Sequence, residues 1–365
     1  LSKYLDEKYE TMLVGGVHDE SETDSLHIPE SLGLKPVIIP ELKREINYAN
    51  DKIAYRKLIE IIKEFQPDIV HTHASKSGVL GRLAAHKCKV PVIVHTFHGH
   101  VFHSYFGKAK TTFYKVIERR LAKKSTGIIA ISTEQKNELS EVHQICPKEK
   151  IKEISLGFDL DKFHSSIKNR NEIRNKFEIE DSVVAIGIVG RLAPIKNHKL
   201  FLDVIADVLP KTTKKIKIFI VGDGELRQEI EEKVNLINSE FPDSIVMTSW
   251  IHEIEKFNPA MDIICLSSDN EGTPVSLIEA QATNVPVIST DVGGVKDIVL
   301  EGETGVIVPK GNVNLYAENL LNLIENEDFR KKLSQNGWNH VQQKFHYRTL
   351  AKNMANYYDE LLSKL

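Results

Sequence analysis

At 365 residues, 41% apolar and 27% charged, the chain has the length of two ordinary domains and the composition of a globular protein. No apolar run approaches the roughly 20 residues of a membrane span, no secretory signal opens the chain, and the three cysteines (Cys88, Cys146, Cys265) match no metal-ligand spacing, which points to a reducing, cytoplasmic compartment. The net charge of −3 argues against a nucleic-acid partner but conceals an asymmetry: residues 1–165 hold 25 Lys and Arg against 22 Asp and Glu, and the remainder holds 23 against 29. A basic first half hints at an anionic partner there, a phospholipid surface or a pyrophosphate-linked acceptor.

The opening Leu1-Ser-Lys-Tyr-Leu5, without a methionine, reads as the end of a helix already under way, so an earlier strand and loop are expected to be missing. Short apolar runs then recur at 11–15, 37–40, 68–72, 92–96, 127–131 and 151–155, with helical periodicity near 50–65, 77–87, 107–124 and 132–142. Ser132 and Gln135 carry the signature of a capping box. Strands alternating with helices predict a parallel sheet covered on both faces.

Two features of this half invite chemistry. His71 and His73 end one run, while His95, His98, His100 and His103 follow the next. Imidazoles at this density could bind a metal, or one or two could meet a substrate while the rest pack. Their spacing is not that of a helical i, i+4 pair and few acids lie nearby, which favours the second reading. Segment 102–124 then sets seven cations against Glu118, interleaved with Phe102, Phe106, Phe113 and Tyr114. It reads equally as an ordinary exposed helix face or as a basic, aromatic surface for an anionic membrane.

The polar stretch 165–182 reads as a linker between a first domain at 1–165 and a second at 183–345. The second series of strands is expected at 183–189, 217–221, 245–248, 263–266, 287–289 and 305–308. Its first strand runs into Gly190-Arg191-Leu-Ala-Pro-Ile-Lys196, where two cations at a strand end could clamp a pyrophosphate and stabilise its departure. Gly222-Asp-Gly224 ends the next strand as a plain turn or a ligand loop; it is not a dinucleotide fingerprint, because Arg227 stands where the last glycine should be. Glu271-Gly-Thr-Pro-Val-Ser-Leu-Ile-Glu279 follows the strand at 263–266. Its carboxylates stand eight positions apart, about 12 Å along a helix, so they could hold two parts of one ligand around an anion received by a helix N-terminus. Helices are expected near 312–325, 327–343 and 346–365. The last carries an apolar stripe (Leu350, Met354, Tyr357, Tyr358, Leu361, Leu362) suited to crossing back onto the first domain.

Taken together, G-R-L-x-x-x-K-N, G-D-G, E-G-x-P-x-x-L-x-E-A, T-D-V-G-G and G-x-T-G-x-x-V-P resemble the retaining glycosyltransferases of family 4 (group 1), and T-F-H-G-H-V-F-H resembles members that build bacterial surface polysaccharides. The resemblance implies the GT-B fold, an α/β architecture of two Rossmann-like doubly wound domains facing a central cleft. It implies transfer of a sugar from a nucleoside diphosphate, UDP by default, to a hydroxyl of a glycan or lipid-linked acceptor. Lys196 and Arg191 would grip the diphosphate, helped by Gly190 and the main chain of Thr273, Pro274, Val275, Ser276 and Leu277. Glu271 would hold the donor sugar and Glu279 the ribose, with the base near the backbone of Trp250 and Ile251. His98, with His100 in reserve, would approach the transferred sugar from the opposite domain. No cofactor or essential metal is expected. The enzyme would work in the cytoplasm, peripheral on the inner face of the plasma membrane through 102–124. Met247-Thr-Ser-Trp250 and Ser155-Leu-Gly157-Phe-Asp159 depart from the family's usual F-L-G and N-G-V-D runs. A nucleotide-sugar epimerase of the same fold and a non-catalytic nucleotide-sugar- or polysaccharide-binding subunit are the rival readings.

Overall fold

The computed structural model describes residues 1–17, 26–98 and 108–365. They form two units, Leu1–Gly157 with Tyr347–Leu365, and Phe158–His346. In the first unit β1 (Val14–Gly16) pairs in parallel with β2 (Val37–Ile39). A four-stranded parallel sheet follows in the order β3 (Ile69–His73), β4 (Val92–Phe97), β5 (Gly127–Ala130) and β6 (Ile151–Glu153). Parallel strands need crossovers, which helices Tyr48–Phe65, Ser75–Lys87 and Lys108–Lys124 supply. Cover on both faces is why residues 92–94 and 128–130 read as unbroken apolar runs.

Register decides which side chains can meet. His71 lies opposite Val94, Thr72 opposite His95 and His73 opposite Thr96. Because successive side chains point to opposite faces, His71 and His73 share one face with Thr96, while Thr72 and His95 share the other.

The second unit is a six-stranded parallel sheet, β7 (Val184–Val189), β8 (Ile216–Val221), β9 (Ile245–Thr248), β10 (Ile263–Leu266), β11 (Val287–Asp291) and β12 (Gly305–Pro309), in the order β12-β11-β10-β7-β8-β9. Alternate residues feed two cores. Ile186, Ile188, Ile218, Ile220 and Cys265 enter one; Ala185, Phe219, Val221, Ile264 and Leu266 enter the other. Burial pushes the Cys265 thiol up to about 12, so it is an inert core group. The chain leaves β7 toward one edge and returns to β10 beside it, which makes the β7–β10 junction the switch point where open α/β sheets bind ligands.

Four expectations need correction. The opening residues form turns rather than a helix end, with Leu1, Leu5 and Tyr9 packed on the cluster that holds the last helix. Stretch 165–182 is no linker: helices Asp161–Ser165 and Arg170–Lys176 bring Phe163 and Ile173 into the second unit's core, where Ile179 joins them. Its polarity misleads because its arginines point inward, Arg174 donating to Asp262 and to the carbonyls of Ala260, Glu180 and Val183. The helix at 327–343 breaks into Glu327–Ser334 and Gly337–Phe345, because Gly337 packs so tightly on Gln281 that a Cβ would lie 2.7 Å from the Gln281 carbonyl oxygen. Ser132 caps its helix by accepting from the Gln135 N–H at 3.1 Å, but that helix ends at Asn137 and a π-helical turn continues to Val142.

The last helix, Tyr347–Leu362, lies on the first unit. Met354, Tyr357, Tyr358 and Leu361 pack on Val92, Val94, Ile129 and Ile154. At about 1.5–3 kcal/mol for each large apolar side chain buried, this contact is a substantial part of that unit's stability.

Candidate functional site

The loops leaving β7 and β10 are laced together by main-chain contacts. Ser267 Oγ donates to the carbonyls of Lys196 and Asn197 at 3.0 Å, and the Asp269 N–H donates to the Ile195 carbonyl at 2.8 Å. This fixes Lys196, at the end of the 3-10 turn Pro194–Lys196, over the β10 loop. Its Nζ donates to Glu271 Oε1 at 2.6 Å, and Ser268 Oγ donates to the same oxygen at 2.6 Å. The Glu271 side chain is only 8% exposed, so the two acid-binding groups hold it in one place.

Backbone shape sets the rest. Gly293 has φ +50°, and a Cβ there would fall 1.7 Å from the Glu271 carbonyl oxygen; at Gly294 a Cβ would fall 2.1 Å from that of Gly272. The Gly294 N–H donates to the Glu271 carbonyl at 3.1 Å. The turn after β11 therefore presses main chain on main chain against the turn after β10. Gly222 and Gly224 do the same to the β7 loop, where added Cβ atoms would strike the carbonyls of Gly190 and Leu192. Close backbone approach thus explains the Gly-Asp-Gly pattern without a ligand. Gly190 is less confined, with the Lys196 chain 3.8 Å from where its Cβ would be.

Helix Val275–Ala282 starts after Pro274 with no side-chain cap, leaving its positive end available to an anion. Thr273, Val275 and Ser276 are half-buried at that end. Leu277 is a core residue, and its N–H is already taken by the Pro274 carbonyl at 3.1 Å, so of the expected main-chain donors it is the least suited. One turn on, burial pushes the Glu279 carboxyl up to about 7, with Lys162 opposing and Glu255 adding to the shift. A half-buried acid with no ion pair among the described residues suits a ligand that brings its own hydroxyl donors.

Arg191 is looser. Its side chain is 67% exposed and pairs with Glu225 at 3.0 Å, a surface contact that restrains it little. At the carboxyl end of β9, Trp250 is 53% exposed while Ile251 packs on the second core.

In the first unit the histidines divide by strand face. His95 is core: its Nδ1 meets Thr72 Oγ1 at 2.9 Å, and Gly78 passes so close that a Cβ would lie 2.5 Å from the ring. On the other face His71 is held at both nitrogens, by Tyr358 Oη at 2.6 Å and Thr96 Oγ1 at 2.7 Å. His73 and His98 meet directly, Nδ1 to Nε2, at 2.8 Å. Burial holds all four below the ordinary histidine range, His73 at about 4, so they are neutral at pH 7. No cluster of three metal-ligating side chains occurs among the described residues. His100 and His103, with Phe102 and Phe106, lie outside the described residues. Of the basic helix Lys108–Lys124, Arg119 is spent on the carbonyls of His143 and Gln144, and Glu118 forms a buried pair with Arg82 at 2.8 Å.

Sequence reasoning missed Ser268, Glu225 and the buttressing role of Gly293 and Gly294. A glycine pair directly after a buried strand was the signal for the last two.

Residues 1–162 match the family described as Glycosyltransferase Family 4, and residues 169–340 match Glycosyl transferases group 1. The UDP-Gal:alpha-D-GlcNAc-diphosphoundecaprenol alpha-1,3-galactosyltransferase of Escherichia coli is 30% identical over 302 residues, 80% of this chain and 76% of that protein. The capsular polysaccharide biosynthesis glycosyltransferase CapM of Staphylococcus aureus is 28% identical over 334 residues, covering 90% and 85%. Among solved structures, Anabaena HepE in complex with UDP superposes with a TM-score of 0.78 at 18% identity, over 93% of this chain and 89% of that one, a likeness of fold. The protein is thus a two-domain α/β enzyme with parallel sheets, and it belongs to the family 4, group 1 glycosyltransferases. As a member it is a sugar-transferring enzyme.

Proposed function

We propose that the chain moves a sugar from a UDP-linked donor to a hydroxyl of a glycan or lipid-linked acceptor, with retention of configuration, in bacterial surface-polysaccharide synthesis. The observation that carries this reading is the Lys196–Glu271 pair at the switch point, set beside an uncapped helix end and the unpaired Glu279. The E. coli relative is named for a UDP-galactose donor and a lipid diphosphate acceptor, and the Anabaena structure holds UDP.

Lys196 and Glu271 balance each other's charge within the site. On donor binding the diphosphate displaces Glu271 from Lys196, and the freed carboxylate accepts hydrogen bonds from the sugar hydroxyls. Arg191 swings from Glu225 to the second phosphate. Gly190 and the main chain of Thr273, Pro274, Val275 and Ser276 line the diphosphate, Glu279 takes the ribose hydroxyls, and Ile251 lies by the base. His98, with His100, meets the transferred sugar. As the sugar–phosphate bond breaks, Lys196 and Arg191 neutralise the departing diphosphate and an oxocarbenium-like sugar forms. The acceptor hydroxyl attacks from the same face, and its proton passes to the phosphate oxygen that left. Lys196 and Arg191 together bring the positive charge that a divalent ion would otherwise supply, so turnover should persist in a chelator. Helix Lys108–Lys124, with Phe113 exposed, rests on an anionic cytoplasmic leaflet.

The test is a donor screen with acceptor extracts on the full-length protein, following UDP release and acceptor labelling together. Coupled release and labelling is the expected result. Donor isomerised without acceptor would identify an epimerase instead, and binding without consumption would identify a non-catalytic subunit.

A further inference from the structure

The pairing of His73 with His98 joins the last residue of β3 to the residue just after β4. Their two nitrogens stand 2.8 Å apart, a hydrogen-bond distance that admits one proton between them. Two neutral imidazoles in contact must divide the roles, one ring donating and the other accepting, and that choice fixes where each carries its proton. His98 is half of this pair; the other half is anchored more deeply. The His73 ring lies 4.3 Å from that of His71, tilted by 33°, and His71 is locked at both nitrogens by Tyr358 and Thr96. The His73 carbonyl accepts from Ser77 Oγ at 2.7 Å, which holds the strand end to the helix that follows. A column thus runs from the returning C-terminal helix through Tyr358, His71 and His73 to His98.

We propose that His73 is a positioning residue: it selects a single tautomer and ring orientation of His98, so that His98 presents its Nδ1 side to the transferred sugar. Contact with the tilted His71 ring keeps His73 from turning, and the hydroxyls of Tyr358 and Thr96 keep His71 from turning. Without His73, the more exposed His98 ring samples both tautomers and several rotamers, and its productive arrangement becomes a minor state. This inference rests on the proposed role of His98, and the two can fail separately.

The experiment compares wild type with His73→Leu, His73→Asn and His98→Ala in the full-length protein, by steady-state kinetics at varied donor and by long-range 15N histidine spectra. Loss of a group that orients a metal-bound histidine typically costs about 10–100-fold, and an effect of that order is expected here. His73→Leu should therefore lower kcat by about that factor, with donor KM and melting temperature close to wild type. His98 should change from one tautomer to a mixture. Asparagine offers a hydrogen-bonding group near the position of the imidazole Nδ1, so His73→Asn should restore most of kcat and a single His98 tautomer. If His73→Leu keeps wild-type kcat and a single His98 tautomer while His98→Ala is crippled, the positioning role is overturned and the role of His98 stands. Full turnover in His98→Ala removes the role of His98 and this inference with it. Should the leucine variant fail to fold, His73→Asn decides: near-wild-type kcat with one tautomer supports the proposal, and a loss as deep as that of His98→Ala overturns it.

Discussion

The two units use one architecture for opposite chemistry. Each gathers its polar groups at the carboxyl ends of parallel strands, yet the second unit offers charge and main chain while the first offers neutral imidazoles. At the β7–β10 junction a cation and a carboxylate compensate each other, and glycines pressed against main-chain carbonyls shape the loops. At the ends of β3 and β4 the rings satisfy one another or a hydroxyl, and burial keeps them uncharged. The lesson is that a strand end is only a place. The proposed roles follow this difference: compensating charge and main-chain donors for the diphosphate, and in His98 an uncharged, oriented ring for the sugar.

The sharpest way to break this contrast is to remove the cation. Lys196→Ala should cut transfer by about 10²–10³-fold, the range for losing one preorganised group that stabilises developing charge. Activity near wild type would mean that the diphosphate is held elsewhere. Next comes the main chain. Gly293→Ala forces a Cβ against the Glu271 carbonyl at a positive φ, and chemical denaturation should show a loss of about 2–4 kcal/mol. UDP affinity should fall with it, because the Glu271 turn is displaced.

Glu279 sharpens the comparison further. Its carboxyl moves from the ordinary glutamate value of 4.5 to about 7 in the folded chain, so the native state holds a proton that the unfolded chain releases. The stability tied to this group is fully present below pH 4.5 and lost as the pH rises through about 7. Glu279→Gln should therefore stabilise the protein by about 1–3 kcal/mol at pH 8 and have little effect near pH 4.5. The same variant should bind UDP roughly tenfold more weakly, as expected for losing a charge-assisted hydrogen bond. It should also lose the part of the wild-type affinity that rises between pH 6 and 8. A variant that is neutral in stability at pH 8 would show that Glu279 is not held as a strained acid. The smallest effect is expected at the exposed rim. Glu225→Gln should change stability by less than about 0.5 kcal/mol, which thermal denaturation can check.

The strands were legible in the sequence because buried parallel strands are apolar without alternation, and each apolar run yields one, with ends moved by a few residues. Lys196 and Glu271 were legible as neighbours because both follow buried strands. Stretch 165–182 was not, since charge along a chain says nothing of whether an arginine faces water or caps carbonyls. The break near Gln335 was hidden for a related reason: it answers to Gln281 on another helix. Meetings such as His73 with His98 depend on register between strands 25 residues apart. The sequence also groups Arg191 with Lys196, although one is exposed and the other is held.

The returning helix has a consequence for biosynthesis. The second unit is one continuous stretch of chain, Phe158–His346, and can fold as soon as it has left the ribosome. The first unit cannot be finished then, because Val92, Val94, Ile129 and Ile154 await Met354, Tyr357 and Leu361. At about 5–20 residues per second, roughly 200 residues of synthesis separate that exposed apolar face from its cover, a delay of about 10–40 s. During that interval the nascent first unit is a natural client for a ribosome-associated chaperone, and a chain truncated before Tyr347 would carry the same face permanently.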